Sequence, residues 1–202
     1  MDELRIPISI SARHVHLSQV HVEALFGVGH QLTARAPLSQ PGQFACEEAV
    51  NVVGPKGTIK KVRVLGPVRK ESQVEISRTD EFVLGLDAPI RPSGALEGTP
   101  GLRLEGAAGT VELDHGVIQA ARHIHMSPEE AARFEVKDKD WVMVRVPGER
   151  GIIFDDVLVR VHPEYRLDMH LDTDEANAAD LHPGATGLLI KGTAAVKAEP
   201  ND

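Results

Sequence analysis

Cysteine is almost missing from this chain. Its 202 residues include one, Cys46, which excludes an internal disulfide and any Cys-x-x-Cys zinc ribbon or dithiol redox site. A structural place in the fold is expected for it. Basic residues are in deficit as well: 22 Lys and Arg face 30 Asp and Glu, a formal net charge of −8. No broad cationic face is therefore available to displace counterions from a nucleic-acid backbone, and nucleic acid is excluded as a partner. An anionic ligand would have to be held by a local cluster of Arg and Lys, by helix N-termini or by a bound cation. Long apolar runs are lacking too. No stretch approaches the roughly 20 residues that span a bilayer, so no membrane association is expected. The opening residues Met1-Asp2-Glu3-Leu4-Arg5 have neither the basic start nor the apolar run of a secretory leader. These features give the expectation of a cytoplasmic, globular protein.

What is present is a series of short apolar alternations, at residues 4–10, 50–53, 58–65, 73–76, 102–104, 110–113, 141–146, 157–161 and 167–171. Period-two patterning of this kind reads as strands. Turn chemistry separates them, as in Gly54-Pro55-Lys56-Gly57, Gly106-Ala107-Ala108-Gly109 and Pro147-Gly148-Glu149, the pattern of hairpins in a barrel or sandwich. Helices are few. Ser18 is placed to cap one that runs to Phe26 and stops at Gly27, and Ser127-Pro128-Glu129-Glu130 is a capping box with proline at the first helical position. A third helix is expected to begin near Thr173 or Asp174 and to include Asn177. The tail from Thr193 onward is expected to be frayed.

The chain repeats itself once. Arg13-His14-Val15-His16-Leu17-Ser18 returns as Arg122-His123-Ile124-His125-Met126-Ser127, and each copy leads into a short helix. On an extended segment residues two apart share a face, so His14 projects with His16, and His123 with His125, with Cα atoms roughly 7 Å apart in each pair. Such pairs suit one metal ion each. Zinc accepts imidazole and carboxylate, and catalytic zinc usually has three protein ligands and an open position. Glu75 and His170, polar residues among apolar neighbours, are candidates for the third ligands. Either one alone would more often be a solvated or hydrogen-bonded residue. His21, His30, His115, His162 and His182 have no such context, and solvent-facing or capping roles are expected for them. Arg13 and Arg122 point away from the adjacent histidines and are expected to pair with carboxylates. Taken by themselves, these residues also leave open a dinuclear zinc hydrolase of small esters or thioesters.

At these residues the chain resembles the PduL-type phosphotransacylases, or phosphate propanoyltransferases. The matching stretches are residues 13–18, 37–44, 63–67, 73–80, 116–118, 122–127 and 170–177, so the likeness extends from about residue 6 to about residue 190. It implies a mainly β fold of two β-barrel domains capped by short α-helices. Residues 1–12 and 121–191 would form the first barrel, residues 13–120 the second, and residues 192–202 a disordered tail. It also implies a homodimer and an acyltransferase whose partners are coenzyme A, acyl-CoA and inorganic phosphate. By this likeness two zinc ions are held, one by His14, His16 and Glu75 and the other by His123, His125 and His170. Arg69 matches the family's phosphate-binding arginine, while Ser11, Arg63, Leu65 and Asn177 fall where the family contacts coenzyme A. Only about ten residues precede the first motif, so the extension that directs some relatives into a bacterial microcompartment is expected to be absent. A direct attack of phosphate on the thioester carbonyl is expected, without a side-chain nucleophile.

Overall fold

A computed structural model describes residues 4–190; the tail expected at 192–202 lies outside them. The described residues contain fifteen strands and four short helices, numbered here in chain order, and form two compact units.

One unit comprises residues 4–10, 122–171 and 175–190. Its strands β1 (Arg5–Ser11), β11 (His123–Met126), β12 (Trp141–Val146), β13 (Ile152–Val161), β14 (Asp168–Asp172) and β15 (Thr186–Ile190) close into a barrel in the order β1-β14-β11-β13-β12-β15. The ring is completed by antiparallel pairing of β1 with β15, so the first strand of the chain joins strands from its C-terminal half. Inside lie Ile6, Ile124, Met126, Phe134, Val159 and Met169. This unit holds α3 (Pro128–Phe134) and all but the first two residues of α4 (Thr173–Ala178). α3 has the capping box read from the sequence: the Ser127 hydroxyl accepts from the Glu130 amide at 3.2 Å, and the Glu130 carboxylate accepts from the Ser127 amide at 2.8 Å.

The other unit comprises residues 11–121 and 172–174. It is built on β2 (His14–His16), β3 (Ala34–Pro37), β4 (Phe44–Val53), β5 (Thr58–Gly66), β6 (Gln73–Glu75), β7 (Ile90–Arg91), β8 (Leu102–Glu105), β9 (Thr110–Leu113) and β10 (Val117–Ala120). Their order is β7-β10-β6-β2-β5-β4-β8-β9, with β3 added beside β4, in a sheet that curls into a half-barrel. The architecture is therefore mainly β with short capping helices, closed in one unit and curled in the other. Val15, Leu17, Val52, Val64, Val74 and Leu104 fill the core of the curled sheet. α1 (Gln19–Phe26) begins at Ser18, whose hydroxyl accepts from the His21 amide at 3.4 Å, and stops at Gly27 with φ 113°.

Several elements differ from the sequence reading. β4 starts six residues earlier than the expected 50 and β13 five earlier than 157, because bulged registers carry both strands past their clean alternation. β3 is exposed throughout, so no apolar face marks it, and β10 is mostly buried on both faces, which erases alternation. The fourth helix, α2 (Arg78–Leu84), went unread. Its start signal is Ser77 with Asp80, whose carboxylate accepts from the Ser77 amide at 3.1 Å; aspartate stands where the usual box has Glu or Gln.

The turn between β4 and β5 rests directly on the end of α2. The Lys56 amide donates to the Leu84 carbonyl at 2.9 Å, and a Cβ at Gly54 would stand 2.3 Å from that same oxygen. Backbone cannot yield there as a side-chain tip could. Gly54→Ala should destabilise the protein by about 1–3 kcal/mol in denaturant melts, while Val28→Ala at a fully exposed position should leave the midpoint unchanged.

Candidate metal centres and active site

Strand pairing assembles the first group of ligands. β2 runs antiparallel to β6 with His14 opposite Glu75 and His16 opposite Gln73, and parallel to β5 with His14 opposite Arg63. All three candidate ligands are buried. The His14 and His16 Nε2 atoms face each other at 3.2 Å, with Glu75 oxygens 3.4 Å from the first and 3.9 Å from the second. The His14 Nδ1 lies 2.9 Å from the Ala12 carbonyl, an acceptor that requires the proton on Nδ1 and leaves the Nε2 lone pair directed at the cluster. Two imidazole lone pairs this close, with a carboxylate beside them, form a donor set that a cation satisfies.

The second group repeats this arrangement. β11 runs antiparallel to β14, with His123 opposite His170 and His125 opposite Asp168, and parallel to β13. The three rings form a near-equilateral triangle with centroid separations of 4.7, 5.0 and 4.8 Å. In both groups one ligand atom per residue, an imidazole nitrogen or the Glu75 carboxylate oxygen, lies within 4.8 Å of the others, and these are the two such groups among the described residues. The Nδ1 atoms of His16 and His125 are buried without a hydrogen-bond partner. Asp168 Oδ2 stands 3.0 Å from His170 Nε2.

Burial also sets the protonation of these rings. It is the main cause that pushes His16 down to about 3, joined by the charges of His14 and Arg69 and only partly offset by Glu75 and the Leu65 backbone. Burial likewise pushes His125 down to about 2, with His123, His170 and Arg160 adding to the effect. Both are neutral near pH 7, the form that ligates metal. His14 is buried as well, which alone would lower its pKa, but the Glu75 charge and hydrogen bond carry it upward.

Arg69 is half-buried and donates from Nη1 to the Ser93 hydroxyl at 3.1 Å. Its charge is felt at both His14 and His16. Arg63 sits on β5 beside His14 and donates from Nη1 to the Cys46 and Glu47 carbonyls, both at 2.8 Å. Leu65 follows on the same strand, and Ser11 ends β1. Asn177 is exposed on α4, in the barrel unit. The two arginines that precede the histidine motifs pair with carboxylates as expected. Arg13 makes a bidentate contact with the buried Asp80 at 2.9 and 2.8 Å, and Arg122 pairs with Glu175.

Among the remaining histidines, His30 binds the buried Glu48 at 2.8 Å and His21 the Ser72 hydroxyl at 2.7 Å. Cys46 is fully buried, and burial together with Glu48 pushes its thiol up to about 11, which leaves almost no thiolate for nucleophilic attack. The sequence reading passed over Gln73, Ser93 and Asp168, which contact the candidate ligands. Gln73 and Asp168 carried a usable signal: each lies two residues before a candidate ligand on the same strand face.

Comparison with known proteins places the chain in a family. The family described as phosphate propanoyltransferase matches residues 7–182. A phosphate propanoyltransferase of Thermotoga maritima is 57% identical over 187 residues, 92% of this chain and 89% of that protein. One from Salmonella typhimurium is 54% identical over 94% of this chain and 92% of its own length, and one from Enterococcus faecalis is 52% identical over 91% and 87%. With a family match across most of its length and relatives this similar, the chain belongs to the phosphate propanoyltransferase family of acyltransferases.

Proposed function

We propose that this enzyme moves a short acyl group, propanoyl or acetyl, between coenzyme A and inorganic phosphate, with two zinc ions per chain. The observation that carries the reading is the pair of buried donor sets, His14/His16/Glu75 and His123/His125/His170, in a chain whose relatives bear the phosphate propanoyltransferase name. Histidine-rich sets with at most one carboxylate and no cysteine suit open catalytic zinc sites better than closed structural ones. Zinc bound there would supply Lewis acidity to a thioester carbonyl and to a departing thiolate.

In the reaction a phosphate oxygen attacks the thioester carbonyl carbon, the C–S bond breaks, the sulfur leaves as the coenzyme A thiolate, and acyl phosphate is released; the reverse follows the same path. Phosphate is the nucleophile, so no acyl-enzyme is needed, and the buried, protonated Cys46 supports that route. Arg69 holds phosphate by its two-pronged guanidinium and offsets its charge as it nears the carbonyl. Ser11, Arg63, Leu65 and Asn177 contact coenzyme A. A homodimer is part of the same reading and rests on the family likeness. Among the described residues no helix is long and apolar enough to cross a membrane.

Zinc-loaded enzyme given propanoyl-CoA or acetyl-CoA should release free thiol only when phosphate is present, with matching acyl phosphate. Glu75→Ala and His123→Ala should each lower turnover about 100-fold or more. Thiol release without phosphate would favour the hydrolase instead. Arg69→Lys keeps the charge but loses the fork, and should raise the KM for phosphate about 10-fold while changing that for acyl-CoA little.

The metal-free protein should also respond to acid. Because the folded state holds the His125 pKa far below the ordinary 6.5, the unfolded chain binds the extra proton between those values. The stability from keeping this ring neutral is complete above pH 6.5 and is lost as pH falls. In chelator-treated protein His125→Gln should flatten the loss of stability between pH 6.5 and 4 by up to about 1.4 kcal/mol per pH unit, measured by urea melts at each pH.

A further inference from the structure

Gln73 is 1% exposed, and a buried primary amide must find partners for two N–H donors and one carbonyl. It finds all three. Nε2 donates to Glu75 Oε1 at 2.5 Å and to the Ser93 hydroxyl at 2.9 Å, while Oε1 accepts from the Gly94 amide at 2.8 Å. These partners fix the amide orientation, since the flipped form would set its carbonyl against the Glu75 carboxylate and its NH2 against the Gly94 N–H. Ser93 is used as fully: its hydroxyl accepts from Gln73 and from Arg69 Nη1 at 3.1 Å and donates to Glu75 Oε1 at 3.1 Å. One carboxylate oxygen of Glu75 thus takes two donors, and Oε2 is the one nearer the His14 Nε2.

We infer that Gln73 is a positioning residue that fixes Glu75 as a one-oxygen metal ligand and, through the Ser93 hydroxyl, locks the Arg69 guanidinium to that same carboxylate. The inference rests on the two-metal reading given above. Strand register puts Gln73 there: on β6 it shares a face with Glu75 and stands opposite His16 as Glu75 stands opposite His14. The amide therefore ties the first metal group to the phosphate-binding arginine within one unit of the fold. Hydrogen-bonded supports of a metal ligand typically alter metal affinity by 10–100-fold when removed.

The test uses a parent chain carrying His123→Ala and His170→Ala, in which the first donor set remains, and reads zinc affinity by competition with a chromogenic chelator. Adding Gln73→Met, which keeps volume but removes the amide, should weaken zinc binding about 10–100-fold. In the otherwise native enzyme Ser93→Ala should weaken zinc less and raise the KM for phosphate more than that for acyl-CoA. A merely structural role for Gln73 would lower the thermal midpoint and leave zinc affinity per folded molecule unchanged, and that result overturns the inference. Should Gln73→Met fail to fold, unchanged zinc affinity and unchanged phosphate KM in Ser93→Ala overturn it equally. Zinc failing to bind the parent at all would instead remove the two-metal reading, and the inference with it.

Discussion

Register between two short strands is the constraint on which both candidate centres depend. In each, the first histidine of a His-x-His strand stands directly opposite the third candidate ligand on an antiparallel neighbour: His14 opposite Glu75, His123 opposite His170. Directly opposed residues bring their side chains within about 5 Å on one face. A slip of one residue would carry the third donor to the other face. What prevents the slip is the apolar residue beside each ligand. Val15, Val74, Ile124 and Met169 are fully buried, so any shift would take a core side chain out of the interior. Ligand placement and core packing are thereby enforced by the same alternation.

The internal repeat runs deeper than its six-residue signature. In both units the His-x-His strand lies between a long parallel strand, β5 or β13, and a short antiparallel one, β6 or β14. The antiparallel strand leads directly into a helix, and the arginine before each motif reaches a carboxylate on that helix, Asp80 in one case and Glu175 in the other. Each arginine fastens the entry of its histidine strand. The third donor differs between copies, carboxylate in one and imidazole in the other, so the two sites carry different charge on a common frame. Any cation held by Glu75 meets an anionic, harder ligand than one held by three imidazoles.

How much of this was readable follows from where the signals lie. The histidine pairs, Glu75 and His170 could be found because strand alternation makes a polar residue in an apolar strand conspicuous. The strands with one buried face were legible for the same reason. β3, β7, β10 and β15 were not: β3 and β7 are exposed throughout, β10 is buried on both faces and β15 is mostly half-buried, and α2 was hidden because its capping aspartate imitates a loop. Gln73 sat in plain view next to Glu75, but an amide has no charge to advertise a partner. Ser93 comes from a loop 18 residues after Glu75 and joins it through the fold alone.

The sealed thiol has a chemical consequence for an enzyme proposed to handle a thiol-bearing carrier. Exchange with a disulfide requires an accessible thiolate, and the chain's one sulfhydryl lies in β4 under the sheet with its ionisation suppressed. Mixed disulfides with the carrier, capping by electrophiles and covalent pairing of chains all lack a point of attachment on the folded surface. The protein can work beside reactive sulfur without becoming a partner in its chemistry.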